Sequence, residues 1–246
     1  MPHSENALVR KLSNFVRLSP DELDCLMELQ SKRQNIARSS DVVHEGQTGH
    51  DAYILQQGWA YSYKLLPDGG RQVINFSVPG DFMGLRSVLL RTSDHSFASI
   101  GDAVVSRFSV KRMSSVFSEF PRLGAGILWA VSRDEAMIVE HLVGVGRRSA
   151  IERMAHFFLE LGDRLQLVGM ASETHFECPL NQYLLADTLG LTAIHVNRVL
   201  RQLREQGLIT LKQHHVVITD VKGLKELAGY ESDYLDQPLP WAKIDD

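Results

Sequence analysis

The stretch LLADTLGLTAIHVNRVLRQLREQGLI, residues 184–209, decides how the rest of the chain is read. Ala186, Gly190 and the apolar positions around them predict two short helices, Asn181–Leu189 and Thr192–Gln206, joined by a tight turn at Gly190-Leu191. Thr192 is an N-cap residue, which leaves the first amides of the second helix free to meet a phosphate. At about 100° per residue, Val196, Val199, Leu200 and Leu203 fall on one side of that helix and must pack on the first. Ile194, Arg198, Arg201 and Glu205 fall opposite, flanked by Asn197 and Gln202. A helix facing water gains nothing from an outward Ile beside two arginines. A helix in the major groove uses all of them: Arg for guanine edges or phosphates, Asn for adenine, an apolar side chain for the thymine methyl.

The N-terminal residues of such a helix reach bases first, so Ile194, Asn197 and Arg198 are the expected base readers. Thr192, His195 and Arg201 are expected on backbone phosphates, with Ala193 in the same first turn. Downstream, Leu208–Leu211 and Val216–Ile218 read as a strand pair, a wing whose tip is Lys212-Gln213-His214-His215. Lys212, His214 and His215 either meet a flanking phosphate or form a plain polar turn.

The chain has 246 residues, 44% hydrophobic and 23% charged, as expected of a globular protein of one or two domains. No run approaches about 18 apolar residues, so no membrane span is expected. The N-terminus lacks an apolar export segment, and Cys25 and Cys178 form no CxxC pair, so the reading is cytoplasmic. The net charge of −4 does not exclude nucleic acid. After Tyr230, Glu231, Asp233, Asp236, Asp245 and Asp246 stand against Lys243 alone and carry all of it, whereas Arg198, Arg201, Arg204 and Lys212 face only Glu205. This acidic tail, residues 231–246 with Trp241, is expected to be mobile.

Upstream, residues 8–30 have helical spacing in two pieces, the second opened by Ser19-Pro20-Asp21-Glu22. From about 33 to 110 the period changes to two, with strands at 52–55, 59–65, 73–76, 97–100 and 103–110. Turns at Pro67-Asp68-Gly69-Gly70 and Pro79-Gly80-Asp81 separate them, which predicts an antiparallel barrel or jelly roll. Pro121 opens a long helix ending near Gly144 and Gly146. Along it Leu123, Ile127, Val131, Ile138, Leu142 and Val145, with Asp134 filling the gap, form a heptad-like seam. The seam either packs on its own protein or, the favoured reading, pairs with its copy across a two-fold axis. Residues 149–168 form a further amphipathic helix.

The order of these parts resembles a known family. Gly46-Gln47, Tyr53, Leu55, Gly58 and Pro79-Gly80-Asp81 resemble the cyclic-nucleotide-binding β-roll of the cyclic-AMP receptor and fumarate–nitrate regulator (Crp/Fnr) superfamily. The long helix and the HVNRVLRQLREQGLI run with its wing resemble the same superfamily's C-terminal half, so the likeness covers roughly residues 20 to 228. It implies a dimeric transcription factor with RNA polymerase as a further partner, in which a sensory roll controls winged helices through the linker helix.

The departures carry as much. Cyclic-AMP-binding members have a Gly-Glu pair after the PGD-type turn and later an Arg followed by Ser or Thr, for the ribose hydroxyl and the cyclic phosphate. Here these positions read Gly84-Leu85 and His95-Ser96. Losing an acceptor and a cation from an anion site is severe, so no cofactor is expected and cyclic AMP is not the effector, although Arg86 or Arg91 offers a substitute cation. Gly84, Leu85, Arg86, Ser87, His95 and Ser96 remain the expected effector pocket. The oxygen-sensing branch needs an N-terminal cysteine cluster, which Cys25 alone does not supply. At the start of the recognition helix the relatives usually carry a Glu, where this chain has Ile194, while Arg198 keeps the family's Arg.

Other readings concern single residues. Cys178 is a redox switch or, in the favoured reading, an inert small residue; Cys25 reads as core. His44, Glu45, His50 and Asp51 suggest a cupin-like metal site but lack its His-x-His spacing, so no metal site is assigned. Trp59, Tyr61 and Tyr63 alternate as core or pocket lining.

The sequence therefore predicts an α+β protein: an N-terminal β-roll (jelly-roll, cyclic-nucleotide-binding-like) with a helical lead-in over 1–120, a linker and dimerisation helix over 121–147, a winged helix-turn-helix over 148–230 and a tail. The expected function is a homodimeric, double-stranded-DNA-binding transcriptional regulator reading a near-palindrome, not an enzyme and not bound to a membrane. The alternatives are a constitutive regulator with a purely structural roll, and a cupin-like metalloenzyme.

Overall fold

The computed structural model describes residues 6–49, 51–86, 90 and 92–237. They form two compact units. The first holds the described residues up to Lys64, residues 74–133 and Gln237; the second holds residues 65–73 and 134–236. This division falls inside the segment, residues 121–147, that the sequence sets apart as a linker helix.

In the first unit, helices α1 (Ala7–Ser13) and α2 (Pro20–Leu29) lead into the roll. Ser19 and Glu22 close a capping box at the start of α2, as its Ser-Pro-Asp-Glu sequence dictates. Among the described residues eight strands follow: β1 (Arg33–Ile36), β2 (Asp41–Val43), β3 (Asp51–Gln57), β4 (Ala60–Leu65), β5 (Arg71–Ser77), β6 (Phe82–Met83), β7 (Ser96–Ser99) and β8 (Ala103–Ser109), the last residue of β4 and the first three of β5 being grouped with the second unit. They make two four-stranded sheets, ordered β1-β8-β3-β6 and β2-β7-β4-β5. Sequence reading missed β1, β2 and β6. β1 is Arg-Gln-Asn-Ile and almost wholly exposed, so as an edge strand it carries no apolar alternation.

One core cluster joins Leu8, Leu12, Leu26, Ile54, Phe108, Leu123 and Ile127; a second lies around Leu55, Met83, Phe97 and Val105. Trp59, Tyr61 and Tyr63 are buried, and the Tyr63 hydroxyl donates to Asp41 at 2.9 Å. The Pro79-Gly80-Asp81 turn is locked from below. Gly80 has φ +90°, and a Cβ there would stand 2.9 Å from the backbone of α1, so only glycine fits. Asp81 accepts from the Val78 amide at 2.9 Å and pairs with Lys11 at 2.7 Å, the two side chains being 1% and 6% exposed.

Helix α3 (Val110–Glu119), for which the sequence gives no expectation beyond a strand ending at Val110, precedes the long α4 (Pro121–Arg147). In the second unit come α5 (Ala150–Leu167), β9 (His175–Glu177), α6 (Gln182–Leu189), α7 (Ala193–Glu205), β10 (Ile209–Lys212), β11 (His215–Ile218), α8 (Val221–Ala228) and α9 (Asp233–Asp236). The wing is a three-stranded antiparallel sheet, β10-β11-β9, rather than a pair. The tail also departs from expectation up to Gln237. Leu235 is fully buried, Tyr234 donates to Glu160 at 2.7 Å, and the Gln237 carbonyl accepts from the Trp129 indole at 2.8 Å. Trp241 and the last acids lie outside the described residues.

Candidate nucleic-acid interface

Helices α6 and α7 are set by their ends. The Asn181 side chain accepts from the amides of Tyr183 and Leu184, and Thr192 caps α7 by accepting from the His195 amide at 3.2 Å. Between them Gly190 turns the chain with φ +62°. Arg153 of α5 fixes this corner by donating to the carbonyls of Leu189, Val145 at 3.2 Å and Arg148 at 3.1 Å. Arg71 adds an ion pair to Asp187 at 2.6 Å, and Gln72 donates to the Thr188 carbonyl at 3.2 Å.

Val196, Val199 and Leu203 of α7 are buried. On the outer face Ile194 is 83% exposed, and Asn197, Arg198, Arg201 and Gln202 are exposed beside it. Ala193 and His195 are half-buried. An arginine nitrogen of Arg198 lies 2.9 Å from His195 Nε2, and Arg201 lies 3.4 Å from Glu205 along the helix. Asn197 donates to Gln182 Oε1 at 2.7 Å, a partnership with the first residue of α6 that sequence reading did not single out. The spacing of 15 residues carries no periodic signal; only the turn at Gly190 brings the two amides together.

At the wing tip Gln213 and His214 both adopt positive φ, +48° and +64°, between Lys212 and His215, which pair across the hairpin. Lys212, Gln213, His214 and His215 are all exposed, and His215 stacks on His175 of β9 at 5.2 Å. The face thus joins a helix carrying apolar, amide and guanidinium groups to a cationic hairpin within one unit.

Two families match. Residues 152–227 match the Crp-like helix-turn-helix domain, and residues 33–120 the cyclic nucleotide-binding domain. The nitrogen fixation regulation protein FixK of Bradyrhizobium diazoefficiens is 31% identical over 80% of this chain and 82% of its own. The chain belongs to the Crp/Fnr superfamily of transcriptional regulators. The transcriptional activatory protein AadR of Rhodopseudomonas palustris is 32% identical over 75% of this chain and 76% of its own. The solved structure of FixK2 from Bradyrhizobium japonicum is 25% identical and superimposes with a TM-score of 0.73 over 81% of this chain and 98% of that one. This Crp/Fnr protein is therefore a DNA-binding transcriptional regulator and not an enzyme.

The long helix α4 divides its predicted seam. Leu123 and Ile127 are fully buried in the first unit's own core, so they do not face a second copy; Val131 and Asp134 are half-buried. Ile138, Leu142 and Val145 stay exposed, Leu142 at 70%, together with Leu128 at 58%, Val139 and Val143. The free stripe is then Leu128, Val131, Glu135, Ile138, Leu142 and Val145, in alternating steps of three and four, with Glu135 rather than Asp134 as its polar member.

In the expected effector region Leu85 packs against the core cluster. Arg86 pairs with Asp94 at 3.1 Å. His95 lies 2.7 Å from the same carboxylate and against the Phe97 ring at 4.8 Å. Burial works against ionisation of Asp94, but the His95 hydrogen bond and the His95 and Arg86 charges outweigh it and lower its pKa. Gly84 closes β6 with φ +68°, and Ser96 is buried, its hydroxyl accepting from the Glu45 amide at 2.9 Å. Ser87 and Arg91 lie outside the described residues, as does His50. His44 is exposed and pairs with Asp41 at 3.2 Å. Cys178 is completely buried, and burial pushes its thiol up to about 12, which holds it as an inert thiol. Cys25 is buried in the core as expected.

Proposed function

We propose that this regulator acts as a homodimer whose two α7 helices enter major grooves about one helical turn (~34 Å) apart on a near-palindromic site. The apolar stripe on α4, Leu128 to Val145, is the observation that carries the dimer: five apolar side chains, with Glu135 among them, at heptad spacing on one helix call for a partner helix. Ile194, Asn197 and Arg198 read base edges; Thr192, Ala193, His195, Arg201 and Lys212 meet the phosphate backbone. With Ile194 in place of an acidic residue, a thymine methyl replaces the cytosine amino group as the matching feature, so the preferred site differs from that of Glu-bearing relatives.

We further propose that the roll governs this activity without cyclic AMP and without a bound cofactor. Among the described residues, Leu85 packs on the core where cyclic-AMP-binding members carry an acidic ribose acceptor, and Arg86 is paired with Asp94 rather than left for a cyclic phosphate, which supports this reading. The protein works in the cytoplasm beside RNA polymerase, as its family membership implies. Selection of bound duplexes from random DNA, with and without cyclic nucleotides, tests the reading. A two-fold-symmetric site, unchanged by nucleotide, is expected; an asymmetric single half-site, or a site that needs cyclic AMP, overturns it.

A further inference from the structure

Asn197 has two amide hydrogens and one carbonyl oxygen. One hydrogen is already committed, to Gln182 Oε1 at 2.7 Å. What remains is one donor and one acceptor in a single plane, which is the pattern that adenine presents in the major groove through N7 and its amino group. An unrestrained asparagine amide samples a broad, two-fold torsion and presents its donor and acceptor in either order. The Gln182 bond selects one order.

Gln182 is well placed to do this. It is the first residue of α6, the helix whose Asn181 cap accepts from the Tyr183 and Leu184 amides and whose Leu184, Leu185 and Ala186 are buried. Gln182 is half-buried whereas Asn197 is exposed, so Gln182 is the more restrained of the two partners. The bond crosses the turn between the two helices, and α7 alone supplies no equivalent.

We propose that Gln182 is a specificity-determining positioning residue, holding the Asn197 amide in the order that reads adenine. The proposal rests on the DNA-reading face assigned above. The test uses the full-length protein and four duplexes that differ only at the base pair whose preference Asn197→Ala erases. Gln182→Met keeps the length of the side chain and removes the acceptor; Gln182→Glu keeps an acceptor.

Wild type favours A·T at that position. Gln182→Met is expected to reduce the preference roughly three- to tenfold, about what freeing one side chain costs, with melting temperature and affinity for the three other duplexes unchanged. In an Asn197→Ala background it should do nothing. Gln182→Glu should keep the preference while binding all four more weakly, because its charge lies near phosphates. If Gln182→Met weakens all four duplexes equally, the residue contacts backbone or is merely structural, and the proposal fails. It also fails if the preference is unaltered, or if Gln182→Glu loses it. A wild type that selects no sequence at all overturns the base-reading assignment itself, an outcome distinct from an unaltered preference at an established site.

Discussion

Replacing Leu142 by Ala tests the self-association that the proposed function requires. Leu142 sits mid-stripe on α4 and is 70% exposed in the single chain, so most of its side chain is available for burial by a second copy. The change removes three carbons, each worth about 0.8 kcal/mol when fully buried. Counting only the exposed share gives about 1.7 kcal/mol per copy, and in an isologous contact the substitution acts twice. Dimerisation should weaken by about 3 kcal/mol, a change of roughly 200-fold in the dissociation constant. The folded chain loses no packing at an exposed site, and alanine is the best helix former, so the melting temperature of the monomer should hold. Sedimentation equilibrium over a concentration series reads the constant directly, and a full symmetric operator against a half-site reads its consequence for DNA. A dissociation constant within threefold of wild type refutes the reasoning. So does a large fall in melting temperature at concentrations where both proteins are monomeric, which would mean that the side chain packs within its own subunit.

Arg198→Ala should cost about 1–3 kcal/mol on the preferred site and blur one base position, whereas Arg201→Ala should weaken all duplexes alike and lower the salt slope by about one; footprinting titrations at several salt concentrations distinguish the two. Lys11→Met leaves the Asp81 carboxylate buried beside the Pro79-Gly80-Asp81 turn and should cost about 3–5 kcal/mol of stability by urea denaturation, while Lys11→Met with Asp81→Asn recovers a large part of it. His156 is buried between Glu140 and the Tyr230 and Tyr234 rings, and burial, then the Arg148 charge, outweigh Glu140 and push its pKa down to about 4. A histidine with a depressed folded pKa stabilises fully above its unfolded value near 6.5 and loses that contribution as pH falls towards 4. Stability should therefore drop by roughly 2–3 kcal/mol more in wild type than in His156→Gln between pH 7 and 4; equal drops would contradict the assignment.

Local signals carried a great deal of this architecture. The Ser19 capping box, the Thr192 cap and Gly190 each act within one turn of chain, so their residues specify helix ends without outside help. Amphipathic spacing on α7 sorted buried Val196, Val199 and Leu203 from exposed Ile194, Arg198 and Arg201, because a 3.6-residue period fixes which side chains share a face. Strands β3, β4, β5, β7 and β8 were legible for the same reason at period two. What sequence could not supply depends on partners far away in the chain. β1 shows no apolar alternation and β9 is only three residues long, too short to carry a periodic signal; each is defined by the hydrogen bonds that β8 and β11 offer. The α4 seam looked uniform as a one-dimensional pattern, yet the roll's own core claims Leu123 and Ile127 and leaves Leu128 and Leu142 bare. Lys11 with Asp81, and Gln182 with Asn197, are likewise joined across 70 and 15 residues by folding alone. Periodicity states which residues lie on one side of an element; only tertiary packing decides which neighbour, if any, takes that side.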